Sequence, residues 1–463
     1  MSGLSSLNVG VQALYAAQRA LDVTGQNVSN VNTEGYSRQR VQQTSRGASP
    51  IPAMWSRSDA SAGGVDITGT LRIRDGFLEA RAHQERATYA GLEALSGTYT
   101  DLESTFGEPS ATGLQAQMSS FWNSWQDVAN NPGDGGPSGL VIEHAKTVAG
   151  MFNGFATQLS QQWVATRDEL QSTVTDVNSL TAEVARLNGA IRSVTLGGGA
   201  PNELSDQRDV LVLRIAEITG AVATPGDNGV VDLTLGGRTL VSGNRSEQLE
   251  AQGPTSYPAA LGTVSIAWAA TGQPATVGNG VLQGRLTALN ATIPGAMADL
   301  DAVAANLAEK VNTQQDLGVD RAGANGKPIY QGATPLGPVT AATLMVVMTD
   351  PAGIAPSSVP HADGFNGGNA IAMSAHASDA HGPDTAYRDM MVRLGVQAQS
   401  NQRRAEAQYA VAGRVDDARE SVSGVNIDEE MTNLVAFQHA YSAAAKYISA
   451  IDATMDTLIN MTR

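Results

Sequence analysis

Both ends of the chain carry seven-residue apolar repeats. At the front Leu7, Leu14, Leu21 and Val28 recur every seven residues, with Leu4 and Val11 on the adjoining ridge. That spacing predicts one amphipathic helix over residues 4–31, ending at the Asn30, Asn32 and Gly35 cluster, whose residue types tolerate a left-handed turn. At the back Ile427, Leu434, Tyr441, Ile448 and Met455 form one row, and Phe437, Ala444, Ile451 and Leu458 the other. Asn426 is placed to cap this helix, with Glu429 three residues on as in a capping box. Asp428 and Glu430 put negative charge at the positive end of its dipole. A seam of this kind needs a partner. Burying one narrow stripe does not offset the backbone entropy of ordering a long helix. The expectation is therefore that sister molecules bury the seams, and that both ends are largely unfolded in a free monomer.

Between the ends, helical spacing of Leu92, Leu95, Tyr99, Leu102 and Phe106 predicts a helix over residues 75–106. Met118, Phe121, Trp122, Trp125 and Val128 predict another, stopped at Asn130 to Pro132. From Val141 to Val194 threes and fours alternate, describing a helix of about fifty residues, on the order of 75 Å long. A further helix is expected over 203–219. The period then changes to two. Val231, Leu233 and Leu235, the Gly236-Gly237 pair and Leu240 read as a hairpin, with short strands at Ile266 and over 344–348. Helix is expected again over 284–311, a loop with one short helical turn over 350–384, and helix from near Thr385 to the end, broken at Ser423-Gly424.

The predicted fold is mainly α: an elongated multi-domain rod with terminal coiled-coil helices, a long-helix bundle domain and a small β insertion. The expected domains are 1–65 with 405–463 as the terminal coiled-coil core, and 66–221 with 285–315 and 385–404 as the bundle. Residues 222–284 form a small β subdomain and 316–384 a reduced outer β/loop segment.

Composition narrows the function. A chain of 463 residues with net charge -16 would repel nucleic acid and anionic lipid, so neither is an expected partner. There is no cysteine, hence no disulfide, thiolate metal site or Cys nucleophile. The first thirty residues show no basic region and no unbroken apolar core, so no cleavable secretory signal is expected, and no stretch is long enough to span a bilayer. His361, His376 and His381 lie among Asp363, Asp379 and Asp384, but at spacings that match no metal site. Glu203, Asp206 and Asp209 sit at a helix start, where the dipole alone favours acids. Gly197 to Gly199 follows a helix, not a strand, and so is no phosphate cradle. No catalytic residue, cofactor or metal is expected, and Phe121, Trp122 and Trp125 read as core. The pattern points to assembly rather than chemistry.

One run of residues carries a resemblance. Asn27-Val28-Ser29-Asn30-Val31-Asn32-Thr33-Glu34-Gly35-Tyr36-Ser37-Arg38-Gln39 resembles the N-terminal signature of bacterial flagellar rod, hook and hook-associated proteins, and its Gly-Tyr-Ser-Arg-Gln ending is similar to the hook-associated members. The run from Ser423 to Glu430, followed by Leu434, Phe437, Gln438 and Tyr441, is similar to the C-terminal block of the same family. Interior segments from Phe121 to Pro132, Asn202 to Asp209 and Val311 to Gln315 agree. The resemblance implies a secreted, extracellular structural protein at the hook–filament junction, exported through the flagellar type III pathway. It would form a homo-oligomeric ring through its terminal helices. Its expected partners are the flagellar hook protein, hook-associated protein 3 and a cytoplasmic export chaperone. The nearest rivals are another axial component, hook or distal rod, and then a secreted cell-wall enzyme.

Overall fold

A computed structural model describes residues 2–45, 63–257, 262–334, 337–360 and 365–461; the side chains of residues 2–5 and 458 also lie outside the description. Ten α-helices and ten short strands are found among these residues, and the chain divides into two compact units.

The first unit comprises residues 1–87, 177–248 and 409–463. The terminal helices α1 (Ser2–Ser29) and α10 (Ile427–Met461) pack along one another, and α1 also packs on an antiparallel hairpin of β1 (Gln39–Ser45) and β2 (Val65–Arg72). Small residues line the buried face of α1. Ala16, Ala17, Ala20 and Val23 are buried, and a Cβ at Gly10 would come within 2.9 Å of Ile448 and 3.0 Å of Tyr447. Helix α5 (Asn202–Thr219) leads through Gly220, φ +69°, into an antiparallel sheet in the order β3-β4-β5-β6, formed by Val222–Pro225, Val231–Leu235, Arg238–Ser242 and Arg245–Ser246. The β4–β5 turn is Gly236-Gly237, with φ of +57° and +83°, a conformation that only glycine adopts without strain.

The second unit comprises residues 88–176 and 249–408. Helices α3 (Leu114–Asn130), α7 (Ile293–Asp316) and α8 (Gly368–Ala375) enclose its apolar core with parts of α2 (Gly76–Phe106), α4 (Gly135–Leu196) and α9 (Pro383–Ser423). Phe121, Trp122 and Trp125 lie within that core, with the Phe121 and Trp122 rings 4.8 Å apart. Two small ribbons, β7 (Leu249–Gln252) with β8 (Ser265–Trp268) and β9 (Tyr330–Gln331) with β10 (Met345–Val346), and the short helix α6 (Gly280–Thr287) complete the unit.

Two expectations need correction. The long helix runs 62 residues and starts at Gly135, ahead of Val141. The Gly-Gly-Pro run reads as a breaker, yet Asp134 accepts a hydrogen bond from the Gly136 N–H at 3.0 Å, and Pro137 sits in the first turn, where a missing N–H costs nothing. The helix expected over 284–311 is instead α6 and α7 joined by a π-turn at Ala288–Thr292. Pro294 follows it and has no N–H to give the preceding turn, while the Leu289 carbonyl accepts from Trp163 Nε1 at 2.9 Å. Finally, the one short helical turn expected within 350–384 is the eight-residue helix α8, in which Asn369, Ala370 and Met373 are buried. His361 and Asp363 lie outside the described residues. Asp384 accepts from Trp122 Nε1 at 2.6 Å, and Asp379 pairs with Lys310 at 2.7 Å.

Candidate assembly site

The terminal helices are joined by a buried polar knot built from the Asn-rich signature. Asn27 projects from the last turn of α1 and is 1% exposed. Its Nδ2 donates to the Gln39 carbonyl and to Glu430 Oε2, both at 2.9 Å. Its Oδ1 accepts from the Tyr36 hydroxyl and the Gln39 N–H, again both at 2.9 Å. One primary amide thus uses both donors and both lone pairs, its full capacity. No other side chain of this size offers two donors and two acceptors in one plane.

Glu430 completes the knot from α10. Its side chain is 3% exposed, and Oε1 accepts from Arg38 Nε at 2.8 Å and lies 2.7 Å from Arg38 Nη2. Arg38 Nη1 reaches Glu429 at 2.8 Å, and the Arg38 N–H donates to the Ser423 carbonyl at 2.8 Å. Asn426 caps α10 as expected, accepting from the Asp428 N–H at 2.9 Å. The Glu429 carboxylate pairs with Arg38, because a guanidinium is a stronger partner for it than the neutral N–H a capping box would offer.

A second ionic cluster holds the loop after α1 on α5. Asp206 Oδ2 accepts from the Ser37 N–H at 3.4 Å, and Arg72 Nη1 bridges Asp206 and Asp209 at 2.8 Å each. Arg74 also pairs with Asp209. Arg208, 3% exposed, lies 2.8 Å from Asp209. Burial, and then the nearby Arg72 and Arg74, pull its guanidinium down to about 10. Burial, and then Asp206, Glu203 and Glu430, push the Tyr36 hydroxyl up to about 12. Gly35 adopts φ +76°, and a Cβ there would collide with Val210. The expectation that Asp206 and Asp209 merely serve the helix dipole is therefore incomplete; both are ligands of arginines.

The remaining predicted residues divide by environment. Of the signature, Ser37 and Gln39 are buried, Asn30, Tyr36 and Arg38 half-buried, and Asn32, Thr33 and Gly35 exposed. Along the seam, Leu7, Val11, Leu14, Leu21, Val28, Leu434, Phe437, Ile448, Ile451 and Met455 are half-buried, while Ile427 and Tyr441 are exposed. Leu4 and Leu458 have side chains outside the described residues. Sister molecules are thus not the only cover for these rows: within one copy each terminal helix covers part of the other. A two-helix pair buries one face of each helix, which leaves most seam side chains half open. Sequence reasoning passed over the small-residue ridge at Ala16, Ala17 and Ala20, the partners of Glu430, and the exposed Met431 and Val435. An acid in an inward position of an apolar row was the available signal for Glu430.

Residues 99–330, about half of the chain, match the sequence profile of the flagellar hook-associated protein FlgK helical domain. Residues 7–36 match that of the flagella basal body rod protein, and residues 419–461 that of the flagellar basal body rod FlgEFG protein C-terminal region. The chain is 28% identical over 500 residues to flagellar hook-associated protein 1 of Bacillus subtilis (strain 168), covering 99% of this chain and 98% of that protein. It is 25% identical over 551 residues to flagellar hook-associated protein 1 of Escherichia coli (strain K12), covering 99% and 100%. Its fold is similar to the structure of the flagellar hook junction protein FlgK from Burkholderia pseudomallei, with a TM-score of 0.63 at 17% identity over 74% of this chain and 100% of that one. Among the described residues no helix is long and apolar enough to cross a membrane.

Proposed function

The chain belongs to the FlgK family of flagellar hook-associated proteins, and from that premise we propose that it joins hook to filament as a non-catalytic structural subunit. Copies assemble into a ring through the terminal helices, after export by the flagellar type III route. The observation that carries this reading is the knot at Asn27, Arg38 and Glu430. It commits a buried, fully hydrogen-bonded polar cluster to fixing the two chain ends together, and leaves their apolar rows half open to neighbours. The flagellar hook protein lies on one side and hook-associated protein 3 on the other, and an export chaperone covers α10 beforehand. The seam residues Leu434, Phe437, Tyr441, Ile448 and Ile451 take part in packing between copies.

Deleting the gene tests the reading. Cells are expected to keep complete hooks by electron microscopy, release filament subunits into the medium and stop swimming. Normal filaments on the deletion strain would refute it. Arrest before the hook is complete would point instead to a rod or hook role.

A further inference from the structure

The second unit has two outward helix faces that stay open among the described residues. On α9, Val392 and Val396 are 64% and 61% exposed, and Arg403, also exposed, makes no ion pair among the described residues. Steps of four and seven keep the three on one stripe, turned away from the buried Met390, Leu394 and Asn401. On α4, Gln161, Ala165 and Asp168 form an exposed stripe turned away from the buried Trp163, Leu170 and Val174. Asp168 likewise makes no ion pair among the described residues; Arg167 beside it is buried and turned to Gln171 and the Ala251 carbonyl.

The packing of the unit sets these faces on opposite sides and at one height. A Cβ on Gly284 would collide with the Gly91 carbonyl, so α2 and α6 touch backbone to backbone. One groove of that pair is filled by α4, where Gln162 Nε2 donates to the Thr98 carbonyl at 3.3 Å and Arg285 Nη1 to the Glu169 carbonyl at 2.9 Å. The other is filled by α9. There Asn401 Nδ2 donates to Ser96 Oγ at 2.7 Å and to the Leu92 carbonyl at 3.0 Å, and Arg393 lies 3.0 Å from Asp299 on α7, which continues α6. Both helices run antiparallel to α2, since Phe155 meets the Phe106 ring and Tyr387 reaches Glu108 just past it. Arg403 is two residues beyond Asn401 and Asp168 six beyond Gln162, which brings both level with Leu92 to within about one turn.

We propose that these faces meet between copies of this chain. The α9 stripe of one copy lies along the α4 stripe of the next, with Arg403 against Asp168 and Val396 against Gln161 and Ala165. The proposal rests on the reading of the protein as a self-assembling flagellar subunit, and it adds a contact outside the terminal helices. Subunits repeated around an axis in more than pairs need two different patches that meet head to tail. Rotation about an axis parallel to these helices, with little shift along it, carries one face to the other at the same height. The unpaired charges are of opposite sign, which steers the approach and sets the register of contact. The Ala165 methyl and the Gln161 stem then take the valines out of water.

The chain has no cysteine, so introduced thiols report without background. Full-length protein carrying Gln161→Cys and Val396→Cys together, treated in detached flagella with a short thiol-to-thiol cross-linker, is expected to give a ladder of dimers, trimers and longer multimers. Val396→Cys alone is expected to stay monomeric. A product that stops at the dimer, a cross-linked dimer of the single variant, or no ladder in flagella that still hold their filaments would overturn the proposal. Charge exchange supplies an independent arm. Arg403→Glu and Asp168→Lys, each purified with an unchanged unfolding temperature, should release filaments at lower shear than the parent, and the two together should return the threshold to the parent's. Single variants that hold as firmly as the parent, or a double variant no firmer than they, overturn the contact. The deletion strain keeps these outcomes apart from failure of the hook–filament reading, since normal filaments there would remove the premise itself.

Discussion

Replacing Asn27 with alanine removes the one group that touches Tyr36, Gln39 and Glu430 at once. The Gln39 N–H and carbonyl and Glu430 Oε2 each lose a partner in a place water barely reaches, Gln39 being 4% exposed. A buried polar group left unpaired costs about 1–3 kcal/mol. Glu430 keeps Arg38, and the vacated space admits a water that relieves one of the three. The net destabilisation is then about 3–4 kcal/mol, a large share of the roughly 5–15 kcal/mol that holds a domain together. Amide hydrogen exchange read by mass spectrometry is the suitable assay, because it reports each unit separately. Peptides covering residues 20–45 and 426–440 should lose protection by about a hundred- to a thousandfold, at 1.4 kcal/mol per factor of ten. Peptides covering residues 118–128 should not change. Asn27→Asp nearly preserves shape but sets a carboxylate where Nδ2 donated to Glu430, so at neutral pH it should be the more damaging change. Its own folded-state pKa is raised by that neighbour. The damage is therefore present above that pKa and recedes as the pH falls toward about 4, where the protonated acid donates again. Unaltered exchange over 426–440 in the alanine variant would show that Asn27 does not hold Glu430, and the account of the knot would fail.

Gly35→Ala combines a left-handed φ with a clash against Val210, so it should cost about 2 kcal/mol or more, read as a lower urea midpoint for the first unit; an unchanged midpoint would contradict the geometry. Trp122→Phe removes the indole N–H together with part of a buried ring, so Asp384 Oδ2 loses its donor while Oδ1 keeps Gln115 Nε2, and burial already pushes this carboxylate above its usual range. A loss of at least about 1–3 kcal/mol in thermal unfolding is expected, from the unpaired oxygen and the smaller ring together, and a neutral result would show that neither contributes. Asp379 is held down to about 2, chiefly by its hydrogen bond from Lys310 and then by the His381 N–H. A depressed carboxylate lends its stability fully above its ordinary pKa of about 4 and loses it as pH falls through the folded value. Asp379→Asn should accordingly differ from the parent at pH 6 and converge with it near pH 2; a gap that stays constant across that range would remove Asp379 from the acid response.

What the sequence revealed depended on whether a feature repeats along the chain. Long rows such as Leu434, Ile448 and Met455, or Val141 to Val194, show themselves because an apolar stripe recurs every three or four residues for many turns. The β4–β5 hairpin shows itself because Gly236-Gly237 interrupts a period of two. The knot does not repeat. Asn27 and Glu430 are 403 residues apart, and nothing local says that an Asn at one helix end will meet an acid at the start of another. Their significance came only through family resemblance, which marks positions without explaining them. The α6–α7 break was hidden for a different reason. The apolar period continues through Leu286, Leu289 and Ile293 while the backbone slips by one residue into a π-turn, a choice made by Pro294 and Trp163 together. The buried Ala16, Ala17 and Ala20 ridge is hard to see because small residues contribute little to any measure of hydrophobicity.

The separation of Arg38 from Glu430 by 392 positions has a consequence for timing. Every group on the amino-terminal side of that contact exists hundreds of residues before its acid does, so the fastening stays open while the chain is being made or delivered. A copy cut short before residue 430 holds every donor and lacks the acceptor they converge on. The joint therefore doubles as a test of completeness, one that only an intact polypeptide passes.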